Sequence, residues 1–336
     1  MRTSHLLTAL TALLVGCTGE YAITGDEPVY GMDNPRELEN TVNEDRIVQV
    51  TVPETDVLFV VDNSSSMLQE QADLADAFPK FLEYFLGSGL DYHIGVVSTD
   101  MRAADQQGKL QKGAGHLFID PDTPDPMNVF TAMANLGNHG DGNESGRAAT
   151  YAALELRKEG YNEGFYREDA SAHVIVMSDE HDWSDYWDVI TQAEFIEWYS
   201  TLKPDMEMVT FNSIVNRPDC CGGQIGTESA GLEYIEVTNS VGGIFWDIKD
   251  GDWDLVLDQL GMQAAGLQRE FYLTQLPVPE SISVVVVEDG VTFEFLVEED
   301  WTYTASRNSI VFSEFVPSAL SEIQISYDVW AAAGSR

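Results

Sequence analysis

One short segment, DNSSS at residues 62–66, combines a carboxylate with alternating hydroxyl groups directly after the apolar run VLFVV. Its D-x-S-x-S spacing puts the oxygens of Asp62, Ser64 and Ser66 on the same side of a turn. Oxygen donors of this kind suit hard cations such as Mg²⁺, Ca²⁺ or Mn²⁺ better than zinc or copper. The segment therefore predicts a metal site, with helix capping by Ser64 and Ser66 as the alternative interpretation.

Two later segments, GDGNESG at 140–146 and SDEHDWS at 178–184, are also rich in oxygen donors. The second begins at the end of the apolar run VIVM, in the same way that DNSSS follows VLFVV. In a doubly wound parallel sheet the carboxyl ends of the strands meet at one edge, and ligands bind there. We therefore expect the three loops to meet at that edge.

The elements that would position these loops alternate between strand and helix. Apolar strands are expected at DVLFVV, YHIGVVST, AHVIVMSDE, MEMVTFNSIV and IFWDI, preceded by an alternating strand from residue 46. Helical segments separate them, which predicts an α/β fold with a doubly wound, mostly parallel sheet. After Gly266 the helical period stops, and short strands separated by turn residues predict a small C-terminal antiparallel, β-sandwich-like domain.

The N-terminal residues indicate export and a lipid anchor. An apolar run, Leu6–Val15, follows Arg2 and is too short to span a bilayer. It ends in LVGC, which resembles the lipobox of bacterial lipoproteins, so Cys17 is the expected lipidation site; an ordinary cleavable signal is the alternative. Thr18 at the second mature position then implies the outer membrane or cell surface, with the mature domains periplasmic or extracellular. The predicted limits are 1–16 for the signal peptide, 17–45 for the lipidated cysteine and a flexible acidic tether, 46–267 for the α/β domain and 268–333 for the β domain.

The charge balance restricts the partners. The chain has 57 acidic and 17 basic residues, a net charge of −40. Such a field repels phosphate backbones, so nucleic acid is excluded as an expected partner, whereas divalent cations and basic partners are favoured. Most of this charge is expected to form a solvated acidic surface. Cys220 and Cys221 are adjacent, and a vicinal disulfide, buried thiols and pairing between chains all stay open.

With these motifs, residues 50–265 resemble a von Willebrand factor A-type domain, whose metal-ion-dependent adhesion site carries D-x-S-x-S after the first core strand. More closely, the chain resembles bacterial lipoproteins that join a lipobox, this domain and a small β domain. The metal ligands that the resemblance implies are Asp62, Ser64, Ser66 and Asp179. The family usually adds a threonine from the second loop, which this sequence lacks. Glu144 is the expected ligand in its place, with Ser145 as the substitute.

Glu144 would change the chemistry of such a site. An ion with few direct carboxylates is electron-poor and takes an acidic side chain from a partner. A bound Glu144 neutralises the ion further, favours Ca²⁺ and weakens its attraction for a partner's carboxylate. Asp182 is expected as a further ligand or as a neighbour of the ligands. Together with Glu180 and Ser184 it has the spacing for a second calcium site, although solvated loop acids are an equal alternative.

The function that follows is cation-dependent binding, or adhesion, to a protein or glycan partner of the cell envelope or surface, without enzymatic activity. The first alternative is a structural or assembly component whose ion only holds the three loops together. The second is a metal-dependent hydrolase with Asp179, His181 and Asp182 around an activated water. Against the hydrolase, the sequence contains neither HExxH nor G-x-S-x-G. The neighbouring aromatic residues Trp183, Tyr186 and Trp187 suit either helix packing or the rim of a binding site.

Overall fold

The computed structural model describes residues 41–49, 54–86, 88–223 and 228–329. Strands and helices alternate between residues 54 and 264, as the sequence predicts. The strands are β1 (Thr41–Val48), β2 (Glu54–Val61), β3 (Asp91–Ser98), β4 (Ser171–Ser178), β5 (Val209–Val215), β6 (Phe245–Asp247), β7 (Glu270–Tyr272), β8 (Ser283–Glu288), β9 (Val291–Phe295), β10 (Trp301–Thr304), β11 (Ser309–Phe312) and β12 (Glu322–Val329). The α-helices are α1 (Leu68–Leu82), α2 (Pro126–Ala134), α3 (Gly146–Tyr151, continued by a π-helical turn at Ala152–Leu156), α4 (Gln192–Ser200), α5 (Leu232–Val241) and α6 (Trp253–Ala264).

In the described part of the chain, the α/β region has a central sheet of five parallel strands in the order β3-β2-β4-β5-β6. Strand β2 lies between β3 and β4, and Val61 near its end is opposite Ser98 of β3 and Met177 of β4. The loops that follow these three strands therefore leave the sheet side by side at its carboxyl edge. This arrangement confirms the predicted doubly wound α/β fold.

Apolar side chains cover both faces of the sheet. On one face Phe59 packs against Phe78, Phe81 and Phe130, with ring centroids 6.2, 5.2 and 5.0 Å away. Successive strand residues point to opposite faces, so the neighbours of Phe59 in β2 enter the apolar cluster on the other face. Burial on both faces explains why β2 is a continuous apolar run rather than an alternating one.

The remaining strands of the described residues form two antiparallel sheets, in the orders β1-β12-β8-β9 and β10-β11-β7. Their apolar side chains form a separate core that includes Trp301, Ile310 and Tyr327. Apart from β1, all of these strands follow Gly266. They confirm the predicted C-terminal antiparallel β structure.

The position of the first strand differs from the prediction. Strand β1 begins at Thr41, inside the segment predicted as a tether, and pairs with β12 in the antiparallel sheet. The buried Asp45 carboxylate accepts hydrogen bonds from the Thr274 N–H (2.9 Å) and the Tyr327 hydroxyl (2.7 Å). The sequence predicts a tether here because the segment is polar. The groups that donate hydrogen bonds to Asp45 lie at least 229 residues further along the chain, so the local sequence does not reveal them. Residues 41–45 are therefore part of a sheet.

Two further predictions concern the chain's export and its cysteines. The signal peptide, Cys17 and the tether up to residue 40 lie outside the described residues. Within the described ranges, no helix has the length and apolar character needed to cross a bilayer. Cys220 and Cys221 form a vicinal disulfide, which decides among the three alternatives that the sequence leaves open.

Candidate metal centre

Asp62 lies directly after β2 and is completely buried. Its backbone N–H donates to the Met177 carbonyl (2.9 Å), which continues the pairing of β2 with β4. One carboxylate oxygen accepts the Ser64 N–H (2.7 Å), and the other accepts the Ser178 hydroxyl (2.7 Å). These bonds form a tight turn after the strand and fix the carboxylate at the sheet edge.

The two alternate serines connect this turn to Asp179. The hydroxyls of Ser64 and Ser66 lie 3.1 Å apart, and Ser66 donates to Asp179 Oδ1 (3.1 Å). Helix α1 starts after Met67, and no side chain caps its first N–H groups. The capping interpretation of Ser64 and Ser66 is therefore wrong, since the Ser66 hydroxyl bonds Asp179 of the third loop and the Ser64 hydroxyl lies against that of Ser66.

Glu144 enters the same cluster from the second loop. Its Oε2 accepts a hydrogen bond from the Thr99 hydroxyl, whereas its buried Oε1 accepts none from the residues that the structure describes. Thr99 follows β3 and joins the end of β2 to the second loop, since its N–H donates to the Val61 carbonyl (3.1 Å) and its carbonyl accepts the Ser145 N–H (3.1 Å). The three loops predicted to meet at the carboxyl edge do meet there.

The cluster concentrates negative charge in a buried place. Burial, followed by the charge of Asp62, raises the pKa of Asp179 to about 7. The pKa of Glu180 is raised to about 8 by burial and by the charges of Asp62 and Asp179. The pKa of Glu144 is raised well above its usual value by burial and by the charge of Asp62. No ion pair in the described ranges involves any of these four carboxyl groups. Such groups need either protons or a cation to offset the cost of burying their charge.

The donor set fits a hard divalent cation. Besides Glu144 Oε1, the buried oxygens Asp179 Oδ2 and Asn63 Oδ1 lack hydrogen-bond partners. In the described ranges no three Asp, Glu, His or Cys side chains form an ion cage by themselves, so the serine hydroxyls are needed to complete one. A mixture of carboxylate and hydroxyl oxygens suits Mg²⁺ or Ca²⁺. The residues that would hold the ion are Asp62, Ser64, Ser66, Glu144 and Asp179.

Ser145 does not take part in this cluster. Its hydroxyl donates to the Asn143 carbonyl (3.0 Å) and accepts the Trp187 indole N–H (2.9 Å). The structure therefore gives Ser145 a role in joining the second and third loops. These two bonds occupy the hydroxyl proton and one of the two lone pairs, so the role of Ser145 as a substitute ligand stays a prediction.

Asp182 is also turned away from the cluster. Its Oδ2 pairs with Nε of the buried Arg147, and its Oδ1 accepts the Ser184 N–H (3.0 Å) and hydroxyl (2.5 Å). His181 bonds Ser229 through both its N–H (2.8 Å) and its ring Nδ1 (3.1 Å). Asp182 is therefore committed to an ion pair, and the expectation of a metal ligand or a second calcium site with Asp182 is corrected.

Thr99 and Ser178 are site residues that sequence reasoning missed. Thr99 directly follows β3 and Ser178 ends β4, and both hydroxyls donate to a carboxylate of the cluster, Thr99 to Glu144 and Ser178 to Asp62. Their position at the carboxyl ends of the two strands that flank β2 was the available signal. Gln71 of α1 adds a third contact, since its amide donates to the Asp62 carbonyl (2.9 Å).

Comparison with known proteins gives distant likenesses only. No protein-family model matches the sequence, and no curated protein matches it significantly. A von Willebrand factor type A structure from Catenulispora acidiphila is 11% identical, covers 90% of this chain and 68% of its own, and has a TM-score of 0.38. Proximal thread matrix protein 1 from the mussel byssus, with a zinc-occupied MIDAS motif, is 18% identical over 66% of this chain and 48% of its own (TM-score 0.43). The open conformation of the pilus adhesin SpaC from Lactobacillus rhamnosus GG is 10% identical over 88% of this chain and 42% of its own (TM-score 0.43).

The chain thus spans 68% of the first of these proteins and less than half of each of the other two. At such distances the likenesses carry no argument about what the chain binds. The fold class rests on the strand order and register of the central sheet. The metal centre rests on the side chains that converge at the carboxyl edge of that sheet.

Proposed function

We propose that the chain is a divalent-cation-dependent binding protein of a bacterial cell envelope, with its ion held by the residues of the three loops. The observation that carries this proposal is the set of buried carboxyl groups around Asp62. Among the described residues these groups have no ion pair, and Asp179 Oδ2 and Glu144 Oε1 have no hydrogen-bond partner. A divalent cation supplies the charge and the coordination that these oxygens lack.

The charge of the site favours particular partners. Ser66 is exposed, whereas Asp62, Glu144 and Asp179 are buried, so a partner would approach the ion from the side of Ser66. With Glu144 in the cage, protein carboxylates already balance the ion. A partner that offers neutral oxygens, such as a glycan, or a basic protein surface therefore fits better than an acidic side chain, because like charges are costly at an interface.

The location of the protein is part of the same proposal. The lipobox-like segment before Cys17 would make that cysteine the lipid attachment site and would tether the described region to the outer membrane or cell surface. Several acyl chains on one residue bind a membrane firmly, where one chain is marginal. Metabolic labelling with a palmitate analogue tests this, and we expect label in the wild-type protein and none in Cys17→Ser.

Thermal and chemical unfolding with and without divalent cations test the metal site. We expect Ca²⁺ or Mg²⁺ at about 100 times its Kd to add about 2.7 kcal/mol to the free energy of unfolding. Asp62→Asn should abolish this gain, whereas Asp289→Asn, an exposed carboxylate in the β8–β9 turn, should retain it. A wild-type protein that neither binds the cations nor gains stability from them would refute the proposal.

A structural ion is the second candidate function, favoured by the near-complete burial of Asp62, Glu144 and Asp179. The two functions differ in whether a partner depends on the ion. A pull-down from envelope extract, with and without chelator and with Asp62→Asn as the control, separates them. A partner that is lost with chelator and in the variant supports cation-dependent binding; a partner retained in both supports a structural ion.

Catalysis has less support than binding. A hydrolase built on Asp179, His181 and Asp182 would need these side chains to surround one water. Asp182 is paired with Arg147, and His181 is bonded to Ser229, so the three do not face a common point. Turnover of a panel of ester, phosphate and peptide substrates that is lost in Asp179→Asn would overturn this preference for binding.

A further inference from the structure

A buried ion pair joins the loop that carries Glu144 to the loop that carries Asp179. Arg147 is 1% exposed, its Nε bonds Asp182 Oδ2, and its Nη2 lies 3.1 Å from Asp185 Oδ1. Its Nη1 is buried and meets no hydrogen-bond acceptor in the described part of the chain. Burying a charged pair costs several kcal/mol of desolvation per ion, and an apolar pair of similar volume is often as stable or more stable. The pair is therefore poorly explained by stability alone.

The backbone around Glu144 is fixed by further contacts between the same two loops. The Trp183 N–H donates to the Glu144 carbonyl (2.6 Å), and the Ala148 N–H donates to the Ser184 hydroxyl (2.9 Å). On the other side, the Gly146 N–H donates to the Tyr234 hydroxyl (3.0 Å). Ser184 is itself held by the Asp182 carboxylate, so the ion pair lies at the centre of this junction.

Glu144 needs such support. Its carboxylate and that of Asp62 are both buried in the same cluster, and like charges at short range repel. The only hydrogen-bond donor to its side chain in the described ranges is the Thr99 hydroxyl. A proton shared with Asp62 holds the two side chains together, but a bound cation displaces that proton, and the position of Glu144 then depends on Thr99 and on the backbone that follows it.

We propose that Arg147 and Asp182 are positioning residues that hold Glu144 in the ion cage and thereby set the preference of the site for Ca²⁺ over Mg²⁺. This inference rests on the proposed function. Ca²⁺ accepts additional and bidentate carboxylate oxygens in a flexible geometry, whereas Mg²⁺ demands a near-ideal octahedron and keeps several waters. A firmly placed Glu144 therefore favours the larger ion, and a loosely placed one does not.

A double-mutant cycle tests the coupling between the ion pair and Glu144. The first variant is Arg147→Met with Asp182→Asn, which avoids leaving one charge buried alone. The second is Glu144→Gln, and the third combines all three changes. Isothermal titration of the purified proteins with CaCl₂ and with MgCl₂ gives the ratio of the two affinities, and chelator-treated samples give the ion-free unfolding midpoint.

Removing groups that orient metal ligands usually lowers metal affinity by about 10–100-fold. We expect that loss to fall on Ca²⁺ rather than Mg²⁺ in the first variant, so that the Ca²⁺/Mg²⁺ affinity ratio falls by about tenfold. The ratio should fall similarly in Glu144→Gln and no further when the changes are combined. Additive effects, or an unchanged ratio in the first variant, would overturn the inference while leaving the metal site intact. A wild-type protein that binds neither ion would refute the proposed function and the inference together.

A second ion pair, between the buried Asp56 and the partly buried Arg167, provides the control. Arg167 and Asp56 lie 2.8 Å apart near the start of β2, at the opposite end of that strand from Asp62. Arg167→Met with Asp56→Asn should lower the ion-free unfolding midpoint but leave the Ca²⁺/Mg²⁺ ratio unchanged. If this control changed the ratio as much as the Arg147 variant, a general loss of stability would explain both, and the positioning role would be refuted.

Discussion

At the scale of single residues, the Thr99 hydroxyl is the hydrogen-bond donor to the Glu144 carboxylate in the described part of the chain. Thr99→Val keeps the shape of the side chain and removes that donor. We expect the ion-free protein to lose about 1–3 kcal/mol, the usual cost of leaving a buried polar atom unsatisfied. Urea unfolding in the presence of chelator measures this loss.

The control for Thr99→Val is Thr302→Val, because Thr302 is exposed in β10. We expect that change to alter stability by less than about 0.5 kcal/mol. Equal losses in both variants would mean that the Thr99 hydroxyl contributes nothing specific to the position of Glu144. Ca²⁺ titration of the two proteins adds a second measure, in which only Thr99→Val should weaken binding.

His173 predicts a pH dependence away from the metal centre. Burial lowers its pKa from 6.5 to about 4, and its Nε2 has no partner while Nδ1 lies 2.8 Å from the Thr210 hydroxyl. The unfolded chain takes up a proton below pH 6.5 that the folded chain accepts only near pH 4. The contribution of His173 to the free energy of unfolding is therefore fully present above pH 6.5 and is lost as the pH falls toward 4.

We expect His173 to account for about 3 kcal/mol of the stability lost over this range, because its pKa falls from 6.5 to about 4 on folding. Urea unfolding of the wild type and of His173→Gln at pH 7 and pH 4.5 measures the difference. The variant should lose less stability between the two pH values than the wild type does. Parallel losses in both proteins would show that other groups cause the acid sensitivity.

At the scale of elements, strand β2 and its loop could be predicted from the sequence because their signals are local. A continuous apolar run followed by D-x-S-x-S predicts both a buried parallel strand and its carboxyl-edge loop. Local signals alone do not tell which of Asp179 and Asp182 faces the ion cage, since both are aspartates of the same loop. What separates them is Arg147, which reaches Asp182 from helix α3. Tertiary partners of this kind leave no trace in residue spacing.

The second loop contacts the first loop at Gly140, whose N–H donates to the Asn63 carbonyl (2.9 Å). A Cβ at this position would lie 2.2 Å from Asn63 Oδ1 and 2.7 Å from its backbone oxygen. Gly140→Ala should therefore force the two loops apart and weaken Ca²⁺ binding by about 10–100-fold. Gly142→Ala is the control, because a Cβ at Gly142 meets nothing within 4 Å.

Calorimetric titration of both glycine variants with CaCl₂ gives the comparison. Far-UV circular dichroism checks that each protein is folded. Wild-type affinity in Gly140→Ala would show that the contact between the loops is not needed for the ion site. Equal weakening in Gly142→Ala would show that the loop responds to any added methyl group rather than to this one contact.

At the scale of the whole molecule, a net charge of −40 makes self-repulsion a general cost of folding. Monovalent salt relieves that cost by screening, since the Debye length falls from about 30 Å at 0.01 M to about 3 Å at 1 M. Any cation therefore stabilises this protein to some extent. A specific site must be separated from this background before a stabilising ion can be assigned to it.

Thermal unfolding in KCl and in CaCl₂ makes that separation. We expect KCl to raise the melting temperature gradually and equally in the wild type and in Asp62→Asn, because both keep nearly the same total charge. Millimolar CaCl₂ adds little ionic strength, so it should stabilise only the wild type, through the site at the carboxyl edge of β2. If KCl at matched ionic strength reproduced the whole effect of CaCl₂, the ion would be acting on the acidic surface at large, and the buried carboxyl groups around Asp62 would instead be neutralised by protons.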